Sequence, residues 1–263
     1  MYEKNRRPAR PAAAAPAEET EGQLEGRNAL QEALRSGRTV DKVFIAAGEI
    51  DRGLQRLAAE AREAGAVVVP VDRRKLDAIS FTHAHQGVIA LAAAHVYYSI
   101  DDILEEAASR GEAPLIVICD ELSDPHNLGA ILRSAECAGA HGVIIPKRRS
   151  VGLTATVAKA SAGAVEYMKV ARVTNISAAI AGLKQKGVWV FGTAAEGSIP
   201  MYQADLSGPA AIVIGSEGDG MSQLVRKNCD VMVNIPMKGR ISSLNASAAA
   251  SILLYEALRQ RLG

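Results

Sequence analysis

The chain has 263 residues, 48% hydrophobic and 22% charged, enough apolar material to bury a core over most of its length and not the make-up of a disordered chain. Thirty Lys and Arg against 29 Asp and Glu leave no whole-chain signature of nucleic-acid binding, so any such affinity must come from local patches. Three distant cysteines, Cys119, Cys137 and Cys229, without C-x-x-C spacing argue against a disulfide scaffold and a zinc knuckle and fit a reducing cytosol; no apolar run approaches the roughly 18 residues of a membrane span, and no apolar leader opens the chain.

Residues 1–20, MYEKNRRPARPAAAAPAEET, are Pro, Ala and charge, and read as a disordered tail whose Lys4, Arg6, Arg7 and Arg10 form a basic arm. Residues 21–95 read as a small α/β domain. A helix is expected over Gly26–Arg35, a strand at Val43–Ala46, a helix over Asp51–Ala64 with Leu54, Leu57, Ala58 and Ala61 on one face, a buried strand at Val67–Val69 and another at Val88–Ala92. Over 21–110, 11 Lys and Arg face 14 Asp and Glu, a negative balance that offers RNA no general attraction. Residues 96–110, with Tyr97-Tyr98 and a short acidic helix, read as a linker. Residues 111–263 carry 15 Lys and Arg against 12 Asp and Glu. Their short apolar runs, Leu115–Cys119, Val143–Ile145, Val188–Phe191, Ala211–Ile214 and Val231–Ile235, alternate with helical stretches, the pattern of a parallel sheet covered on both faces.

Ligands of such sheets bind beyond the carboxyl ends of the strands, and there polar residues cluster. After the first run comes Asp120 to Gly129, opening a helix from about Asn127 to Ala138. Asn127 and Arg133 are six apart, which takes them off a common face; a helix cap and a surface cation account for them as well as a site does. After the fourth run comes Gly215-Ser216-Glu217-Gly218-Asp219-Gly220, whose glycines admit close backbone approach but match neither a Walker A loop nor G-x-G-x-x-G. After the fifth come Ile235-Pro236-Met237-Lys238-Gly239 and Ser243-Leu244-Asn245-Ala246-Ser247, leading into an Ala- and Ser-rich helix to about Leu258. Lys147-Arg148-Arg149 is the densest basic run of this half, either a solvated face or a phosphate contact. His83, His85 and Gln86 suit a polar surface or packing role better than a metal site, and His126 and His141 have no triad partners.

Taken together, Asn127-Leu128-Gly129-Ala130-Ile131-Leu132-Arg133, Ile214 to Gly220, and Ile235 to Gly239 with Ser243 to Ser247 resemble the three motifs of the SpoU/TrmH RNA ribose 2′-O-methyltransferases, of the SPOUT class, in order and spacing over residues 111–263. Residues 21–95, with His83-Ala84-His85-Gln86-Gly87, resemble the L30e-like RNA-binding domain that precedes it in relatives. The resemblance implies an α/β fold with a parallel sheet and a deep trefoil knot, a homodimer without a metal, S-adenosylmethionine as cofactor, and structured RNA as partner. The implied reaction is methylation of a guanosine ribose in 23S rRNA; a tRNA or adenosine substrate, or a non-catalytic role in ribosome assembly, are the alternatives. It implies catalytic roles for Asn127, Arg133, Glu217, Ser243 and Asn245, and cofactor contacts at Thr193, Gly215, Ile235, Met237 and Leu244. A guanidinium normally keeps its proton, so Arg133 is expected to act as a base only when coupled to an RNA phosphate, or else to stabilise a developing alkoxide. Its distance in register from Asn127 is explained if a dimer lends Arg133 to the partner's site.

Overall fold

The structure, a computed structural model, describes residues 22–48, 51–194, 198–216, 218, 220–241 and 243–263. The tail expected over residues 1–20 lies outside the described residues.

The front part is a four-stranded sheet of β1 (Gln23–Glu25), β2 (Val40–Ala46), β3 (Val67–Val71) and β4 (Val88–Ala92), in the order β1-β4-β2-β3. Only β2 and β3 run parallel. Helices α1 (Arg27–Arg35), α2 (Arg52–Glu63) and α3 (Arg73–Ile79) connect them. Asp51 caps α2 by accepting from Leu54 N at 3.1 Å, and Leu54, Leu57, Ala58 and Ala61 form its buried stripe, as the spacing required. The strand at Val67–Val69 departs from expectation. It is an edge strand, Val67 is 58% exposed, and Pro70, which has no N–H for a ladder, sits where an edge tolerates it.

The stretch read as a linker contributes structure of its own. Tyr98 N donates to Val170 O at 2.9 Å, and α4 (Ile100–Ser109) begins in a reciprocal capping box between Ser99 and Asp102. Its Ile103 is fully buried against Gly142, where a β-carbon would lie 2.5 Å from the Ile103 side chain.

Beyond it lies a seven-stranded, all-parallel sheet. Its strands are β5 (Leu115–Cys119), β6 (Gly142–Pro146), β7 (Val170–Val173), β8 (Trp189–Thr193), β9 (Ile199–Pro200), β10 (Ala210–Ile214) and β11 (Val231–Asn234), in the order β7-β6-β5-β10-β8-β11-β9. Every residue of β5, β6 and β10 is buried, the continuous apolar run of a strand covered on both faces. Alternation divides the core: Leu115, Val117 and Cys119 pack with α5 (Pro125–Cys137) and α9 (Ala246–Leu262), whereas Ile116 and Ile118 pack with α4, α7 (Ile176–Gln185) and α8 (Gln223–Asn228). Helix α6 (Ala155–Ala160) lies against α5, where Gly129 allows close approach: a β-carbon there would meet Ala160 Cβ at 2.4 Å.

The two sheets are joined by polar contacts. Arg38 and Glu166 form an ion pair at 2.8 Å with both side chains almost fully buried, and Arg38 also donates to His95 Nε2 at 2.7 Å. Tyr167 Oη donates to Glu32 at 2.6 Å. Lys159 Nζ on α6 donates to Thr82 Oγ1 and to Ala84 O, each at 2.7 Å. No helix of the described residues is long and apolar enough to cross a membrane.

Candidate active site

In a parallel sheet all carboxyl ends lie on one edge, so the loops after β5, β8, β10 and β11 share it. The loop after β5 enters α5 at Asp124, whose carboxylate accepts from His126 N at 2.9 Å and caps the helix, with Pro125 in the first turn. Asn127, 5% exposed, donates from Nδ2 to Asp124 at 3.0 Å. Its Oδ1 accepts from Asn245 Nδ2 at 2.9 Å. Asn245 caps α9, its Oδ1 accepting from Ser247 N at 2.9 Å and Ala248 N at 3.3 Å. Three side chains 121 positions apart in sequence at their extremes thus form one directional chain tying the N-termini of two helices (Asp124 to Asn245). Each amide has a fixed orientation, because reversing either would set two donors or two acceptors face to face. Farther along the same helix pair, Ser134 and Ser251 are joined at 2.7 Å.

Beside this chain, a cleft of about 460 Å³ opens between the ends of β8 and β11 and the segment leading into α9. Thr193, Ile235, Met237 and Leu244, four of the five expected cofactor contacts, line it, and so does Ser243. Sequence reading missed Asn234, Ala249 and Leu253 in the same wall; the Ala-rich start of α9 was the available signal. Thr193 Oγ1 donates to Val213 O at 3.0 Å, which fixes β8 against β10. Met237 and Leu244 leave 39% and 38% of their surface in solvent, apolar surface left uncovered by the described residues.

Gly215 is not among the cleft residues. It ends the run of β10, and the loop after it doubles back: Ser216 and Gly220 exchange backbone hydrogen bonds of 3.0 and 3.1 Å, and a β-carbon on Gly215 would lie 2.3 Å from Gly220 C. The glycine is needed for that fold-back. Asp120, after β5, accepts from Ser222 N at 2.8 Å and holds the end of this loop to the first. Glu217 lies outside the described residues. Arg133 is exposed on α5, makes no hydrogen bond or ion pair with a described residue, and is not brought to Asn127 or to the cleft.

His85 and His141 serve packing. His85 is buried; its Nδ1 accepts from Gly87 N at 3.0 Å, so Nε2 donates to Asp77 at 2.9 Å. His141 Nδ1 accepts from Leu115 N at 3.0 Å and pins the start of β5; burial lowers its pKa, opposed by Glu112.

The model of the SpoU rRNA methylase family matches residues 114–255, and that for RNA 2′-O ribose methyltransferase substrate binding matches residues 23–98. The chain belongs to the SpoU rRNA methylase family. It is similar to the putative TrmH family tRNA/rRNA methyltransferase YacO of Bacillus subtilis, 46% identical over 236 residues, 90% of this chain and 94% of the relative. It is also similar to the 23S rRNA (guanosine-2′-O-)-methyltransferase RlmB of Ralstonia nicotianae, 44% identical over 240 residues, 90% and 95% of the two chains. Among solved structures it is similar to the SpoU methyltransferase AviRb of Streptomyces viridochromogenes in complex with AdoMet, with a TM-score of 0.80, 26% identity and coverage of 92% and 90%. The protein is an S-adenosylmethionine-dependent RNA 2′-O-ribose methyltransferase.

The cleft suits that cofactor. Its volume falls within the roughly 300–1,000 Å³ of small-molecule sites, and its lining is mostly apolar with a few polar side chains, Thr193, Asn234 and Ser243, to orient a ligand. Met237 and Leu244 are the apolar surface that a bound adenosine would cover.

Proposed function

We propose that the protein methylates the ribose 2′-hydroxyl of a guanosine in 23S rRNA, working as a homodimer in the cytosol, with residues 21–95 as an L30e-like substrate-binding domain and residues 111–263 as the catalytic domain. The observation that carries the site assignment is the Asn127–Asn245 hydrogen bond, which locks two loops together beside the cleft. The 44% identity to a 23S rRNA guanosine methyltransferase over 90% of this chain supports the substrate. A deep trefoil knot is part of this reading; a strand order in which β10 stands between β5 and β8 supports it.

Bound S-adenosylmethionine supplies a methyl group on a positively charged sulfur that becomes a neutral thioether once the methyl is lost. Thr193, Ile235, Met237 and Leu244 hold it between aliphatic walls, and Gly215 shapes the neighbouring loop. Asn127, immobilised from both sides, positions the ribose, and Ser243 and Asn245 order the segment that closes the cleft. Glu217, outside the described residues, is given its role by the family resemblance alone. Arg133, exposed and without a hydrogen bond or ion pair to a described residue, reaches into the partner's site, where its guanidinium binds the adjoining phosphate and stabilises the oxygen as the hydroxyl proton passes to solvent. Orientation of this kind accounts for much of the acceleration such transfers need.

The test supplies radiolabelled S-adenosylmethionine with 23S rRNA, 16S rRNA and bulk tRNA from a strain lacking the gene, and identifies the modified nucleoside by mass spectrometry. The expected product is 2′-O-methylguanosine in 23S rRNA alone, lost in Arg133→Ala while cofactor binding persists. Label confined to tRNA would overturn the substrate. Mixed dimers of Arg133→Ala with Leu244→Arg should recover activity that neither homodimer has; no recovery would refute the shared site.

A further inference from the structure

The basic run Lys147-Arg148-Arg149 is the turn that follows β6, on the same sheet edge as the cleft and one strand spacing, about 4.8 Å, from β5. The turn is built rather than loose. Ser150 Oγ and Val151 N both donate to Leu122 O, at 2.9 and 3.1 Å, so it is fastened to the loop that leads through Asp124 into α5 and Asn127. On its other side Lys147 N donates to Val173 O at 2.7 Å. Arg149 and Glu121 meet across the junction at 3.2 Å, and both hold left-handed backbones, φ 56° and 54°, unfavourable for side chains of their size.

Its charge is largely uncompensated. Several exposed cations elsewhere pair with carboxylates, as in Arg27–Asp51, Lys184–Asp230 and Lys186–Asp101. Lys147 and Arg148 are exposed and make no side-chain hydrogen bond or ion pair with a described residue. Behind them Arg172 stacks over the Tyr97 ring at 5.3 Å, donates to Lys147 O at 3.4 Å, and keeps a buried Nε with no partner among the described residues. Among the described residues, these four cations make one ion pair, Arg149 with Glu121. A rigid, exposed surface of this kind, lacking apolar contacts or an acceptor set for bases, fits the phosphates of a polynucleotide.

The geometry points to this turn as a phosphate track for the RNA substrate, holding the backbone next to the methylated nucleotide at the Asn127 loop. The inference rests on the reading above in taking RNA across this edge of the sheet. It makes Lys147, Arg148 and Arg149 substrate-positioning residues.

The experiment measures binding of the full chain to a 23S rRNA transcript over a series of salt concentrations, for wild type, for Lys147→Gln/Arg148→Gln/Arg149→Gln, for the single Arg148→Glu, and for Lys184→Gln/Lys186→Gln. The last pair lies before β8, at the opposite edge of the sheet. The triple variant should bind at least tenfold more weakly, with the slope of log affinity against log salt shallower by about 2, from roughly 0.7 for each phosphate that the variant no longer neutralises. Arg148→Glu should weaken binding in the same direction, and in methyl transfer the loss should fall on KM more than on kcat. Affinity and slope equal to wild type in both variants, or an equal loss in the Lys184/Lys186 control, would overturn the inference. Methylation of some other RNA would overturn the 23S assignment and leave the turn standing, since the salt slope is a binding measurement on RNA of any sequence.

Discussion

Replacing Asn245 by alanine and by aspartate separates its two functions. Its Oδ1 caps α9 and its Nδ2 donates to Asn127. Asn245→Ala removes both. Loss of an N-cap costs about 1 kcal/mol, and loss of a hydrogen bond to the oxygen of buried Asn127 about 1 kcal/mol more. For a chain of this size each kcal/mol lowers Tm by about 2–4 °C, so a fall of about 4–8 °C is expected. Asn245→Asp keeps the capping acceptor and adds a charge that the N-terminus of α9 favours by about 0.3–1 kcal/mol, but it cannot donate to Asn127. That gain offsets most of the lost bond, and Tm should stay within about 2 °C of wild type. Catalysis should not follow stability: both variants release Asn127 and should lose on the order of 10²-fold in single-turnover methyl transfer at saturating RNA and cofactor. Thermal melts beside that rate decide the matter. An aspartate variant with both wild-type Tm and wild-type rate would refute the positioning role, and one that melts as low as alanine would refute the capping argument.

Gly129→Ala should lower Tm by several degrees although alanine is the better helix former by about 1 kcal/mol, because its methyl would press on Ala160, Ser161 N and Val157 O and overpacking costs about 1–3 kcal/mol; a rise in Tm would contradict the α5–α6 packing. His95 is neutral when folded, burial first and Arg38 second lowering its pKa from 6.5 to about 4. Glu166 Oε1 lies 3.8 Å from its ring, but Arg38 donates to both and holds the imidazole unprotonated. The unfolded chain takes up this proton first, so stability is complete above about pH 6.5 and declines towards pH 4 by up to about 3 kcal/mol, with Glu166, raised by burial, opposing part of the decline. Urea melts at pH 7, 5.5 and 4.5 should show this slope in wild type and a flatter one in His95→Asn; equal slopes would exclude His95 as its source.

Where local chemistry and periodicity agreed, the elements were legible: the apolar stripe of α2, the run-and-turn rhythm of β5, β6 and β10, and the polar loops that follow them. Strands β1 and β9, of three and two residues, are too short to carry a period, and β7, Val-Ala-Arg-Val, is interrupted by the arginine that stacks on Tyr97. Val67–Val69 looks like an interior strand because three valines carry no information about neighbours, and only the sheet order makes it an edge. The site was partly visible. Asn127 and Asn245 could each be assigned from resemblance, but their mutual bond spans 118 positions and depends on how α5 and α9 pack. Gly215 was expected at the cofactor, whereas steric need explains it in the loop beside the cleft. The spacing argument that set Arg133 apart from Asn127 agrees with the exposed position it occupies.

The strand order also sets a timetable for synthesis. One edge of β5 is completed by β6, soon after it in the chain, but the other is β10, with Leu115 opposite Ala210, 95 residues later. At about 5–20 residues per second, a ribosome delivers that partner roughly 5–20 s after β5 itself. Through that interval Leu-Ile-Val-Ile-Cys, wholly apolar, presents an open row of backbone donors and acceptors of the kind that recruits strands from other chains. The front sheet can close meanwhile, since its pairings lie within residues 23–92. A nascent chain of this protein is therefore half finished and half adhesive for seconds, and its yield in a cell should depend on what shields β5 until β10 arrives.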